Sequence, residues 1–151
     1  MIVFRLSIPA WASDLSGNGA RLAGGRWNSQ GTAMVYTSES RALCTVEIAV
    51  HTGLGILPSG YQLITIEIPD DASILGIRPD QLRPEWRAFP HPVFTRHFGD
   101  RFVKDNKALI LKVPSAVVPG DFNYLINPAH KDISQIKIVS IEAFEFDERM
   151  R

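Results

Sequence analysis

The pattern of apolar and polar positions predicts a succession of short elements. Ile2–Ser7 alternates well enough for a first strand. Asp14–Gly25 carries four glycines (Gly17, Gly19, Gly24, Gly25) and reads as loop. Ala33–Thr37 reads as a short strand. Ser38 is set to cap a helix from Glu39 to about Thr52, with Glu39 in the first turn and Gly53 just past the end. On a helical wheel Ala42, Leu43, Val46, Ala49 and Val50 form one apolar arc, with Glu47 at its edge. Tyr61–Ile68 alternates clearly and is closed by Pro69. Val93–Lys104 has helical spacing in Val93, Phe94, His97, Phe98, Phe102 and Val103. Ala108–Val113 is an apolar strand stopped by Pro114, and Tyr124–Ile126 is a further extended piece before Asn127-Pro128. Two closing strands, Ile136–Ile141 and Ala143–Phe146, are separated by little more than Glu142. Strands and helices neither alternate strictly nor segregate, which points to an α+β fold with a mostly antiparallel core.

Composition narrows the class of molecule. At 151 residues the chain fits a single domain spanning 1–151. Apolar residues at 45% and charged residues at 21% exclude disorder as the native state. Sixteen basic residues balance sixteen acidic ones, so no global field draws in a polyanion. The single cysteine, Cys44, allows no internal disulfide, in keeping with a reducing compartment. Arg5 and Ser7 interrupt the N-terminal apolar stretch, which argues against a signal peptide. With no apolar run of membrane-spanning length, the expectation is a soluble, cytoplasmic protein.

Several residues could carry chemistry. Gly17-Asn18-Gly19 lacks the third glycine of a dinucleotide fingerprint, since Leu22 stands there, and no Gly-Lys-Ser/Thr follows. The same stretch ends in Gly24-Gly25-Arg26-Trp27-Asn28, where an Arg beside two glycines can approach a ligand closely. Its planar fork suits a phosphate, and Trp27 offers a ring for stacking. Equally, Trp27 fits a core anchor and Arg26 a surface charge. Glu47, at the edge of an apolar arc, needs a partner or a task if it is partly buried. His51, one turn on, could pair with it or sit exposed. Tyr36 fits either core or site. The four histidines (His51, His91, His97, His130) have no metal-binding spacing. Ser115 lacks the Gly-x-Ser-x-Gly elbow of a hydrolase nucleophile, and Asn127-Pro128 marks a turn most simply.

Taken in order, these pieces resemble one family. The succession is Leu15-Ser16-Gly17-Asn18-Gly19-Ala20, Gly24-Gly25-Arg26-Trp27-Asn28, Val35-Tyr36, Glu47 with His51, and Val113-Pro114-Ser115-Ala116. Asn123-Tyr124-Leu125-Ile126-Asn127-Pro128-Ala129-His130 follows, and Phe146-Asp147-Glu148-Arg149 closes it. This is similar to the RES-domain toxins, which pair with Xre-type antitoxins, and the resemblance runs from Arg5 to Arg149. It implies a fold like that of the ADP-ribosyltransferases and an enzyme that consumes NAD. The bond between nicotinamide and ribose would be cleaved, with ADP-ribose passing to water, phosphate or a protein. The resemblance carries the family's catalytic positions onto Arg26, Tyr36, Glu47 and Ser115. Glu47 would oppose the charge of a ribose oxocarbenium, and Arg26 would hold the pyrophosphate. Tyr36 would stack on or orient the nicotinamide-ribose end, Ser115 would hydrogen-bond nearby, and Trp27, Asn123 and Asn127 would line the NAD pocket.

NAD is then a substrate, and no metal is implied. The expected partner is an Xre-type antitoxin in a multimeric complex that contains a homodimer of this chain, with DNA contacted only through the antitoxin. Two other classes remain open at this point: an RNA-cleaving toxin, disfavoured by the neutral charge balance, and a binding module without catalysis.

Overall fold

The computed structural model of the chain describes residues 1–52 and 57–150. In chain order the elements are β1 (Ile2–Ser7), α1 (Asn18–Ala23), β2 (Val35–Ser38), α2 (Arg41–His51), β3 (Tyr61–Glu67), β4 (Ile74–Gly76), α3 (Val93–Asp105), β5 (Ile110–Pro114), β6 (Phe122–Ile126) and β7 (Lys137–Phe144). Short 3₁₀ turns punctuate the connections. The strands form one seven-stranded sheet in the order β4-β5-β6-β2-β1-β3-β7. Only the β4–β5 pair is parallel among the described residues, so the α+β, mostly antiparallel expectation holds.

Four expectations are corrected. The glycine-rich stretch is not all loop, because Asn18–Ala23 forms α1. Gly17 enters it in the left-handed region (φ 71°), and a Cβ there would lie 2.5 Å from the Met34 backbone nitrogen. The Asn18 side chain accepts from Arg21 Nε at 2.8 Å and ties the short helix together. The cap of α2 is Ser40, whose Oγ accepts from Leu43 N at 3.0 Å, while Ser38 ends β2. Glu39 then lies outside the helix, accepting from Phe122 N at 3.2 Å. Gly53, expected just past the helix end, lies outside the described residues. The two closing strands are one, β7, with Glu142 inside it opposite Leu63. Pairing along β7 shifts register between Thr65 and Ile66, so the strand bulges instead of breaking.

The buried faces of two helices also differ from their predicted arcs. In α2 the buried residues are Leu43 and Cys44, whereas Val50 is 58% exposed. Leu43 and Glu47 are four residues apart, so Glu47 lies on the inward side and not at its margin. In α3 the buried set is Thr95, Gly99 and Phe102, and Phe98 stays largely outside. Small residues at 95 and 99 let this helix come close to the chain beneath it.

The sheet has a face for each of two main cores. Val3, Val35, Ile64, Ile66, Ile110 and Ile126 pack on one side. On the other, Leu111, Val113 and Leu125 gather Trp27, Met34, Trp86 and Phe102, with Tyr36 packed against them. Leu6 and Leu63 join Cys44 of α2 in a third, smaller cluster. Strand alternation therefore puts Tyr36 and Ser38 of β2 on one face, with Ser38 directly opposite Asn123 of β6. That face carries the site.

Candidate active site

Glu47 reaches the sheet because α2 packs across β1 and β2 with its Leu43 side inward. Its carboxylate meets donors from two separate strand ends. Ser115 Oγ donates to Glu47 Oε1 at 2.8 Å, and Asn123 Nδ2 donates to the same oxygen at 2.8 Å. The Asn123 amide is itself oriented, since Ser38 Oγ donates to its Oδ1 at 2.7 Å. Ser115 Oγ accepts Val117 N–H at 3.1 Å and Val118 N–H at 3.0 Å. Both protein bonds fall on Oε1, and among the described residues Oε2 has no hydrogen-bond partner. A carboxylate so fixed presents one free oxygen at a set angle.

The Gly24–Asn28 segment builds the facing wall. Tyr36 OH donates to Asn28 Oδ1 at 2.5 Å and accepts from Trp27 N at 3.1 Å. Asn28 is fully buried, and its Nδ2 donates to the carbonyls of Ala20 (2.9 Å) and Thr32 (3.0 Å). Burial raises the Tyr36 pKa well above its ordinary value, so the hydroxyl stays protonated and donates. Ser29 adds a second anchor, its N–H and Oγ bonding the Asp100 carboxylate at 2.8 and 2.6 Å. Arg26 projects from this braced turn. Its Nη1 donates to the carbonyls of Trp86 (2.7 Å) and Ala88 (3.1 Å), and Nε and Nη2 have no protein acceptor among the described residues. Burial lowers the Arg26 pKa, and the charge of Glu47 is the chief influence opposing it.

Between these walls lies a cleft of about 590 Å³. Arg26, Trp27, Tyr36, Glu47 and Asn123 all border it. Ser115 acts on it through Glu47. Asn127 does not line it: the side chain is fully buried, donates to Asn106 Oδ1 at 2.8 Å and accepts Ala129 N–H at 3.0 Å. Trp27 borders the cleft but is a core anchor, only 3% exposed and packed at 6.1 Å from Trp86. His51 approaches the Glu47 main-chain carbonyl through Nδ1 (2.5 Å) and not the carboxylate.

Sequence reasoning missed four contributors. Ser38, expected as a helix cap, instead orients Asn123. Asn28 is the hub under the arginine turn. His91 borders the cleft from the loop between the Pro84–Arg87 turn and α3. Arg5 lines it too, with Nη1 and Nη2 donating to the carbonyls of Asp14 (2.7 Å) and Trp11 (3.2 Å). An arginine inside an otherwise apolar strand was the available signal, because a half-buried guanidinium must find acceptors. Among the described residues no group of three or more His, Cys, Asp or Glu side chains could hold a metal ion. No helix there is long and apolar enough to cross a membrane.

Comparison with known proteins defines the class. The RES domain family matches residues 2–147. A Prs ADP-ribosylating toxin of Sphingobium sp. is 42% identical over 141 residues, covering 92% of this chain and 88% of that one. A Toxin Res of Pseudomonas putida is 38% identical and covered at 99% on both sides. A Toxin Res of Yersinia enterocolitica is 34% identical over the full length of both. The toxin–antitoxin complex MbcT–MbcA of M. tuberculosis contains a chain that superimposes with a TM-score of 0.76 at 19% identity, covering 95% of this chain and 83% of that one. The chain belongs to the RES-domain family of toxins.

Proposed function

We propose that this protein is the toxin of a toxin–antitoxin pair and that it cleaves the nicotinamide–ribose bond of NAD. The observation that carries the reading is the Glu47 carboxylate, clamped on Oε1 by Ser115 and Asn123, with Oε2 unpartnered among the described residues and Arg26 bordering the same cleft. Bond cleavage sends both electrons to the nicotinamide nitrogen, which becomes neutral, and leaves positive charge on the ribose. A preorganised carboxylate next to that sugar opposes the developing charge without reorganising at the moment of reaction. Nicotinamide leaves readily as a neutral ring, so the site needs no separate general acid.

Arg26 offers Nε and Nη2 to the pyrophosphate while Nη1 stays locked to the Trp86 and Ala88 carbonyls. The Tyr36 hydroxyl is committed to Asn28 and Trp27, so its contribution to the substrate is the ring and not the O–H. The acceptor attacks the ribose carbon: water gives ADP-ribose and releases a proton, and inorganic phosphate gives the 1-phosphate of ADP-ribose. Protein ADP-ribosylation is the second reading, favoured by the name of the Sphingobium relative. The partner is an Xre-type antitoxin in a multimeric complex, with this chain as a dimer and DNA contacted by the antitoxin.

The test is incubation of the purified protein with NAD, with and without added phosphate, followed by analysis of released nicotinamide and of the sugar nucleotide. Nicotinamide release with free ADP-ribose identifies water as acceptor, and a phosphate-dependent product identifies phosphorolysis. Intact NAD under both conditions rejects the reading.

A further inference from the structure

A second hollow of about 700 Å³, more open than the cleft, lies across the Gly24–Gly25 turn. Gly24, Gly25 and Gln30 border it on one side, and Phe89, His91 and Arg96 on the other. Gly24, Gly25 and His91 also border the cleft, so the two spaces adjoin. Phe89 is 80% exposed, more than any other large apolar side chain described, and His91 meets its ring edge-on with centroids 5.3 Å apart. It follows directly on Ala88, whose carbonyl is held by Arg26 at 3.1 Å. An aromatic surface is thus tethered one residue from the group that faces the pyrophosphate.

Arginines approach this rim from two sides of the chain. Arg96 borders the hollow with His91, Arg26 borders the adjoining cleft, and Arg87 is held on the Ala116 carbonyl at 2.9 Å. Among the described residues none of Arg26, Arg87 and Arg96 forms an ion pair. Arg96 on the hollow and Arg26 on the adjoining cleft suit an anionic ligand, with the Asp100 carboxylate occupied by Ser29, and the exposed Phe89 ring suits a flat heterocycle.

We propose that the hollow is the adenosine subsite, with the adenine stacked on Phe89 and Arg96 facing the adenosine phosphate. The proposal rests on the NAD reading above. With the nicotinamide ribose at Glu47 and the pyrophosphate on Arg26, the adenosine half continues past the glycine turn into this space. A Cβ at Gly24 would crowd Gln30 on the border of the hollow, at 3.4 Å from its backbone nitrogen.

Two measurements test it: steady-state kinetics with NAD, and titration calorimetry with ADP, which carries adenosine and pyrophosphate but no scissile bond. Stacking of a base on an aromatic side chain is lost on substitution by alanine, an effect of about 5- to 150-fold in binding. Phe89→Ala should raise the KM for NAD and the Kd for ADP by that factor, leave kcat near the parent's, and be rescued by Phe89→Trp. Ribose 5-phosphate, which lacks the base, should bind both proteins alike. Failure of the parent to bind ADP, or equal ADP binding by Phe89→Ala, overturns the subsite even if NAD is cleaved. A fall in kcat shared by the Ala and Trp variants, with no change in KM, also overturns it, since that marks a structural role. Phe89-dependent ADP binding without NAD cleavage retains the subsite and rejects the proposed reaction.

Discussion

Ser115 and Glu47 stand 68 residues apart in the chain and are joined by a 2.8 Å hydrogen bond in the fold. The Ser115 oxygen already accepts the N–H groups of Val117 and Val118, so its one proton is directed to the carboxylate. The turn after β5 thereby sets the angle of a side chain on α2. In Ser115→Ala, Glu47 keeps Asn123 but loses half of its clamp. A hydrogen bond to a charged group contributes about 1.5–3 kcal/mol, so kcat for NAD should fall about 10- to 100-fold with KM changed little. Steady-state kinetics on folded protein check this, and an unchanged kcat would mean that the bond is incidental.

Tyr36→Phe keeps the ring and removes a hydroxyl that joins Trp27 N to Asn28 Oδ1. Two polar groups are then left without this partner in a buried setting, at about 1–3 kcal/mol each. Denaturant unfolding should report a clear loss of stability. Equal stability of the two proteins would contradict the bracing role assigned to the hydroxyl.

Arg26→Lys retains charge but not geometry. One ammonium cannot bond the Trp86 and Ala88 carbonyls as Nη1 does and also present a fork to a pyrophosphate. The expected outcome is a KM for NAD raised about tenfold or more, on the scale of a lost charge-assisted bond. Kinetics and NAD titration check it. Parent-like binding would reduce Arg26 to a structural cation.

Gly99 is where α3 rests on the arginine turn. A Cβ added there would lie 1.5 Å from the Trp27 carbonyl oxygen, which a rotamer change cannot relieve. Gly99→Ala should therefore cost about 3 kcal/mol or more, at or above the usual range for overpacking. Thermal unfolding measures it, and a melting temperature equal to the parent's would contradict this packing.

Much of the architecture was legible because it follows local periodicity. The alternation in Ile2–Ser7 and Tyr61–Ile68 locates β1 and β3 almost to the residue, and the apolar spacing of Val93–Lys104 locates α3. What was not legible depends on tertiary partners. Ser38 and Ser40 are both competent caps, and pairing of Ser38 opposite Asn123 decides between them. β4 is three exposed residues that become a strand only by lying parallel to β5. α1 is one short helix within a glycine-rich run, below the length at which periodicity speaks.

The site divides in the same way. Glu47, Arg26, Tyr36 and Ser115 stand out in the sequence only through the family resemblance, since spacing alone fits core or surface roles for each. Asn123 lines the cleft, and Asn127, also expected there, instead bonds Asn106 in the interior. An asparagine before proline reads alike in either setting. Only the fold separates them.

The most direct measurement is nicotinamide release from NAD by Glu47→Gln beside the parent protein. Glutamine keeps an oxygen able to accept from Ser115 and Asn123, so the clamp and the fold survive while the negative charge is lost. Removing one preorganised electrostatic group of this kind costs about 10²–10³ in rate. The account predicts a loss of that size, with NAD binding retained and a melting temperature close to the parent's. A well-folded Glu47→Gln protein that releases nicotinamide at the parent's rate would contradict it.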